Sequence, residues 1–355
     1  MEKILIKGGR VFDGERFSFA DVLTDGEKIE KIEPDISLDA DYIYDATGKT
    51  VSAGLVDTHV HIKRLSSDAF GINAEMSCLP FGVTAANDAG SAYGDRAFLD
   101  SIAVKNVVFV AQSLEGKELN FKFAEELLKK YGDKAIGLKV YFDKTISDIK
   151  DIKPLEAVCA YAREIGIKVM VHCSNSPVPM ANIVRTLSKG DILTHIYHGG
   201  ENTCEAENFE AFRIAKERGV IMDSGFAGHV HTDFGVLARA TSAGFLPDTI
   251  STDITKLSAY RRGGRYGMTM CMSIAKDAGM SEEAIFRAVT ASPAKALGKE
   301  CEWGYLKVGR SADIAVFDYT DEGYDLTDKA ENRIKNKKGY RCLLTVLNGQ
   351  VIYRH

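Results

Sequence analysis

The sequence predicts an α/β fold: a (β/α)8 TIM barrel with a small β-sandwich domain built from both termini. Three observations lead there. Residues 1–50 and 301–355 alternate apolar and polar positions around turn signals. Residues 51–300 instead alternate short apolar runs with amphipathic stretches, a span of about 250 residues that suits eight β/α units. Histidines and acids then recur at the ends of those apolar runs, where barrels of this kind carry their chemistry.

The elements follow in chain order. "ILIKGGRVFD" and "FADVLTDGEKIEKIEPD" read as hairpin strands with "DGE" as a turn. Barrel strands are expected at "GLVDTHVHI", "GVTAANDAG", "VKNVVFVA", "AIGLKVYF", "IKVMVHC", "DILTHI", "GVIMDSG" and "DTISTDI". Helices are expected between them at "FKFAEELLKKYG", "PLEAVCAYAREIG", "NFEAFRIAKERG" and "FGVLARATSAG". The C-terminal stretches "GYLKVGRSADIAVFD" and "CLLTVLNGQVIYRH" return to hairpin patterning, with "NG" as the turn. The small β domain is thus 1–50 plus 301–355, and the catalytic barrel is 51–300.

Composition excludes several function classes. The 355 residues carry 45 basic and 50 acidic side chains, a net charge of −5 that gives no basic footprint for nucleic acid or an anionic membrane. The N-terminal "MEKILIKGGRVFDG" is too short and too alternating for a signal peptide, and no apolar run nears the ~20 residues of a membrane span. Cys78, Cys159, Cys173, Cys204, Cys271, Cys301 and Cys342 are scattered, odd in number and free of any CxxC spacing. Reduced thiols with structural roles are expected, in a cytoplasmic protein that acts on a small molecule; self-association into a homo-oligomer is compatible with all of this.

The chemistry concentrates at the strand ends. In "VDTHVHI", His59 and His61 are two residues apart, so both side chains leave the strand on one face. Alone, such a pair is as readily two satisfied core histidines as two metal ligands. Later strands end with His172 in "VMVHC", His195 in "ILTHI" and Asp253 in "TISTDI". That convergence favours a metal, which needs several neutral nitrogen donors. Lys139, in "IGLKVYF", sits on another apolar strand, where burial disfavours its cationic form. A neutral amine can take up carbon dioxide as a carbamate. The plainer alternative is a lysine paired with a nearby acid.

This set of HxH, Lys, His, His and Asp on successive strands resembles the binuclear amidohydrolase superfamily, and within it the amidohydrolase/deacetylase group, with dihydroorotase-like relatives. "KGGRVFDG", "GVTAANDAGSA", "GLKVY", "GFLPDTISTDI", "SPAKALG" and "GYLKVGRSADIAVFD" carry the resemblance, which covers nearly the whole chain. It implies that His59, His61 and Asp253 hold one divalent ion and that His172 and His195 hold the second. Carbamylated Lys139 and a hydroxide would bridge them. Zinc is the expected metal, with iron or manganese as alternatives. The hydroxide would attack a substrate carbonyl, and Asp253 would pass its proton to the leaving group. The implied reaction is hydrolysis of an amide or ester bond, a deacylation of a small molecule. The alternative within the family is a cyclic-amide hydrolase of dihydroorotase or hydantoinase type. A non-catalytic scaffold would be expected to have lost ligands, and this chain has all six.

Residues for substrate binding are less determined. His198, in "THIYHGG", competes with His195 as a ligand and otherwise faces the substrate from a loop. "DSGFAGHVHTDFG" departs from the family's GHG-like turn: Phe226 stands near that position, and His229 or His231 is expected to line the pocket. Arg262, in "RRGGRYG", and Arg64, after "HVHI", are candidate anion clamps. Dihydroorotases place an arginine where this chain has Lys63. Tyr141 shares a face with Lys139 and either touches substrate or packs in the barrel top. Asp57 shares a face with His59 and either orients a ligand or simply sits in the strand.

Overall fold

A computed structural model of the chain describes residues 2–62, 70–114, 119–146, 148–228, 230–261 and 265–355. Five strands open it: β1 (Ile4–Phe12), β2 (Phe17–Asp25), β3 (Lys28–Glu33), β4 (Tyr42–Asp45) and β5 (Thr50–Ala53). Seven follow: β6 (Leu55–Val60), β7 (Val83–Ser91), β8 (Lys105–Ala111), β9 (Ala135–Tyr141), β10 (Lys168–His172), β11 (Ile192–Thr194) and β12 (Ile221–Asp223). Five close it: β13 (Ile314–Thr320), β14 (Tyr324–Thr327), β15 (Arg333–Asn336), β16 (Gly339–Leu347) and β17 (Gln350–Arg354).

β6 to β12 form a seven-stranded sheet in sequence order, every neighbouring pair parallel. Parallel strands covered on both faces read as continuous apolar runs, and all six residues of β6 are buried. The covering helices show the matching period. Helix Lys153–Glu164 has Pro154 in its first turn, where a missing N–H costs nothing, and buries Leu155, Val158, Cys159 and Ala162. Helix Lys122–Tyr131 buries Ala124, Leu127 and Tyr131 and stops at Gly132, which has φ +58°. Helix Phe234–Ser242 begins where the Asp233 side chain accepts from Val236 N at 3.0 Å.

The segment expected as an eighth strand, "DTISTDI", is not a regular strand. It meets β12 through a single parallel bridge, Asp223–Thr249, and β6 through another, Val60–Ile254. Between them Phe226 N donates to Ser251 O at 3.1 Å, and Asp253 N donates to His59 O at 2.8 Å. Asp253 has φ +46°, and a left-handed residue breaks a continuous ladder. The architecture is TIM-barrel-like, with a β-rich part alongside.

That β-rich part is one eight-stranded mixed sheet drawn from both termini, in the order β17-β16-β13-β5-β1-β2-β3 with β4 on β1. Ile6, Val22, Ile29, Val51, Val316 and Leu344 share one core, so the sheet curves around its own apolar face. The expected "NG" turn joins β16 to β17 with Asn348 and Gly349 both at positive φ, as a two-residue hairpin of the primed type requires. Among the described residues, β14 and β15 pair only with each other. All seven cysteines are free. No helix among the described residues is long and apolar enough to cross a membrane.

Candidate metal centre

β6 ends at Val60, and the two histidines flank that end. His59 and His61 both reach Asp253: His59 Nε2 lies 3.3 Å and His61 Nε2 2.8 Å from Asp253 Oδ1. His172 closes β10, and His195 follows β11 with φ +69°. Their rings meet edge to face, with centroids 4.4 Å apart. Among the described residues, two groups therefore offer ligand atoms within 4.8 Å of one another: His59, His61 and Asp253, and His172, His195 and His231. The groups adjoin, since the His59 and His195 ring centroids are 5.2 Å apart. Lys139, wholly buried on β9, points its Nζ at His59 Nε2 from 3.0 Å.

Electrostatics suit cation binding. Burial, then the charge of Lys139, holds His59 well below the usual imidazole range. Burial, then His231, does the same to His195. Both are therefore neutral donors at pH 7. Burial also brings the Lys139 amine down to about 8, against the pull of Asp253 and Asp223. For Asp253, burial alone would raise the carboxyl; the His59 and His61 imidazoles outweigh it and hold it below the usual carboxylate range.

Further residues fix the tautomers. His195 Nδ1 faces Gly225 O at 2.7 Å, so it is the protonated nitrogen, and its buried Nε2 has no hydrogen-bond partner among the described residues. An orphaned lone pair among donors of this kind is what a metal ligand presents before binding. Gly225, at φ +50°, makes that approach feasible: a Cβ there would lie 2.5 Å from His195 Nδ1. His59 Nδ1 meets Thr194 Oγ1 at 3.1 Å, and Thr194 Oγ1 donates to Asp223 Oδ2 at 2.7 Å. The hydroxyl proton is thus committed to Asp223, Nδ1 carries the hydrogen, and the His59 Nε2 lone pair faces Lys139. Asp223 also accepts from Thr58, Thr249 and Ser251 hydroxyls, at 3.0, 2.6 and 2.7 Å. Asp57 accepts from His59 N and from Thr252 N and Oγ1, bracing the residue before Asp253.

The other expected residues are placed unequally. The Tyr141 ring lies 5.6 Å from Lys139 Nζ and 5.4 Å from the His172 ring. His198 is buried and stands outside both ligand groups. Burial brings its imidazole down to about 4; Nδ1 contacts Gly199 O at 3.2 Å, and Nε2 has no hydrogen-bond partner among the described residues. Arg64, His229 and Arg262 lie outside the described residues.

Sequence reasoning missed three contributors. His231 was expected only to line the pocket; its ring instead packs 4.2 Å from that of His195, with Nδ1 on Ser174 Oγ at 2.7 Å. Asp143, two residues past Tyr141, contacts His172 Nε2 at 3.3 Å and accepts from Thr145 and Asn175. Burial would raise the Asp143 carboxyl, but those bonds hold it below the usual range. Asp223 ends β12 as the histidines end their strands, a signal that could have found it.

Comparison with known proteins gives the family. The amidohydrolase family model matches residues 50–352. Deacetylase Atu3266 of Agrobacterium fabrum is 27% identical over 363 residues, covering 96% of this chain and 88% of the relative. A deacetylase of Enterococcus faecalis is 26% identical over 369 residues, covering 98% of each. The crystal structure of a dihydroorotase matches with a TM-score of 0.86 and 25% identity, over 100% of this chain and 98% of that one. With the family model spanning most of its length, the chain belongs to the amidohydrolase family.

Proposed function

We propose that this chain is a deacylase: it cleaves an amide or ester bond of a small acylated molecule by hydrolysis. Membership of the family and the deacetylase relatives make it a metal-dependent amidohydrolase acting on C–N bonds. The observation that carries the finer reading is the meeting of two adjoining donor groups around one buried lysine amine.

In this reading His59, His61 and Asp253 would hold one divalent ion, and His172 and His195 a second, to which His231 offers a further imidazole. Lys139 would serve both as a carbamate, formed when its neutral amine adds to carbon dioxide and releases a proton. Nitrogen and oxygen donors favour zinc, and iron or manganese fit the same set. Bound ions supply an acidified water and a polarised carbonyl at neutral pH. The chain's own groups do the rest. Asp253, held ionised, takes a proton at its carboxylate and delivers it to the leaving nitrogen or oxygen. Asp223 and Thr194 keep His59 oriented, and Gly225 does so for His195. Tyr141 and His198 would face the substrate, as would Arg64, His229 and Arg262.

A closed (β/α)8 barrel over 51–300, with residues 249–254 as its eighth stave, and a sandwich-type domain of 1–50 plus 301–355 complete the proposal. We further infer a cytoplasmic enzyme with a small-molecule substrate and no nucleic-acid or membrane partner, free to form a homo-oligomer. A second reading, cyclic-amide hydrolysis, is favoured by the dihydroorotase likeness over the full chain. The test is metal analysis of the purified protein, followed by a screen of N-acyl amino acids, acetyl esters and cyclic amides. Metal uptake with turnover of acyl substrates supports the deacylase. Turnover of dihydroorotate or a hydantoin alone selects the second reading. Less than one ion per chain, with no hydrolysis after zinc and bicarbonate, contradicts both.

A further inference from the structure

A run of hydrogen bonds crosses from the chain between β14 and β15 to the metal centre. The half-buried Lys329 donates from Nζ to Asn175 Oδ1 at 3.2 Å. Asn175 Nδ2 donates to Asp143 Oδ2 at 3.0 Å, and His172 Nε2 lies 3.3 Å from that same oxygen. The starting point is anchored. Lys329 N donates to Thr232 O at 3.0 Å. The buried Asp328 carboxylate accepts from Phe234 N at 2.9 Å, and from Ala330 N, Asn332 N and Asn332 Nδ2. Residue 329 is thus fixed against the chain that follows β12.

Each link permits one direction only. An ammonium donates and never accepts, so the Asn175 amide oxygen must face Lys329 and its N–H2 must face Asp143. An ionised carboxylate accepts and never donates. Asp143 is surrounded as an acceptor: Thr145 N and Thr145 Oγ1 donate to Oδ1 at 2.8 and 2.6 Å, and Asn175 donates to Oδ2. The hydrogen between Asp143 and His172 therefore belongs to Nε2. A neutral imidazole carries one N–H, so the His172 lone pair is on Nδ1. A turn cap alone does not explain this arrangement. The bonds to Thr145 use Oδ1, while Oδ2 goes to Asn175 and His172.

We propose that Asp143, aligned by Asn175 and Lys329, is a positioning residue: it keeps the hydrogen of His172 on Nε2 and so makes Nδ1 the nitrogen offered to the second ion. The inference rests on the metal-centre reading and deepens it. His195 is set the other way, since Gly225 O takes the hydrogen of Nδ1 and leaves Nε2. The two rings, with centroids 4.4 Å apart, would thus meet one ion through unlike nitrogens. Nδ1 lies nearer the backbone than Nε2, so the two histidines serve one point from different depths. A residue of the β-rich part, Lys329, stands at the far end of the device that sets this choice.

The experiment uses the full chain with 15N-labelled histidine. Long-range 1H–15N spectra of chelated protein report which ring nitrogen carries hydrogen, and His172 is identified by the signals lost in His172→Gln. Calorimetric titration with zinc and bicarbonate then follows each ion, the second being the one lost in His172→Gln. In the wild type the His172 hydrogen is expected on Nε2. Asp143→Leu should mix the two tautomers and weaken the second ion by about 10–100-fold, with the first unchanged. Asp143→Asn, whose carbonyl oxygen still accepts, should restore the tautomer and most of the affinity. Hydrogen on Nδ1 in the wild type would overturn the proposal. So would an Asp143→Leu protein with unchanged tautomer and affinity, or one that binds both ions equally weakly. Where Asp143→Leu does not fold, Lys329→Met carries the test: weaker binding of the second ion alone supports the device, and unchanged binding overturns it. If the wild type takes up no zinc, the metal reading fails, and the spectra still decide the positioning: tautomers mixed by Asp143→Leu or Lys329→Met support it, and unmixed ones overturn it.

Discussion

Replacing Lys139 by Met removes the amine and keeps most of the volume. Lys139 is wholly buried with its Nζ 3.0 Å from His59 Nε2, and burial has brought it from 10.5 to about 8. At about 1.4 kcal/mol per pH unit, keeping the ammonium inside the metal-free protein at pH 7 costs roughly 3 kcal/mol. Some packing is lost with the substitution, so metal-free Lys139→Met should be more stable than the wild type by about 1–3 kcal/mol. The pH dependence has a fixed sign. Between about 8 and 10.5 the unfolded chain holds a proton that the folded chain has released, so wild-type stability should rise with pH across that window. The variant should lack that rise. In loaded protein the effect reverses: without a carbamate, the ion between His172 and His195 should be lost, and hydrolysis with it. Urea unfolding of chelated protein from pH 7 to 10, next to metal analysis of loaded protein, reads both effects. A metal-free variant less stable than the wild type, or a loaded one with unchanged metal and activity, would refute the reasoning.

Three further substitutions probe the support of the site. Asp223→Asn turns an amide N–H2 toward hydroxyls that now donate to a carboxylate; urea unfolding should show a loss of about 2–4 kcal/mol, and no loss would deny Asp223 its organising role. Gly225→Ala drives a Cβ to 2.3 Å from Thr194 Oγ1 at φ +50°. It should cost about 2–3 kcal/mol in unfolding experiments and lower metal uptake at His195; normal uptake would contradict the cradle. Asp253→Asn should fold normally yet lower kcat by about 10²–10⁴, measured on whichever acyl substrate the wild type turns over.

The parallel sheet was legible because buried parallel strands leave unbroken apolar runs, and "AIGLKVY" and "KVMVH" show them plainly. The centre was legible because polar residues such as Lys139 and His172 stand out inside those runs. What escaped depends on tertiary placement. "DTISTDI" has strand composition, but the left-handed Asp253 reduces its pairing to single bridges. His231 lies in a loop with no periodicity, and only packing brings it to His195. Lys329 lies between β14 and β15, and its reach toward Asn175 follows from Asp328 binding Phe234 N, across 94 residues of chain. Alternation predicted the strands of the termini, but not the order in which one eight-stranded sheet joins them.

A crystal structure of the protein grown with zinc and bicarbonate, with anomalous scattering at the zinc edge, tests the central claim most directly. Two peaks are expected, one among His59, His61 and Asp253 and one beside His172 and His195, with density for a carbamate on Lys139. Absence of both peaks, or an unmodified Lys139 turned away from the histidines, would contradict it.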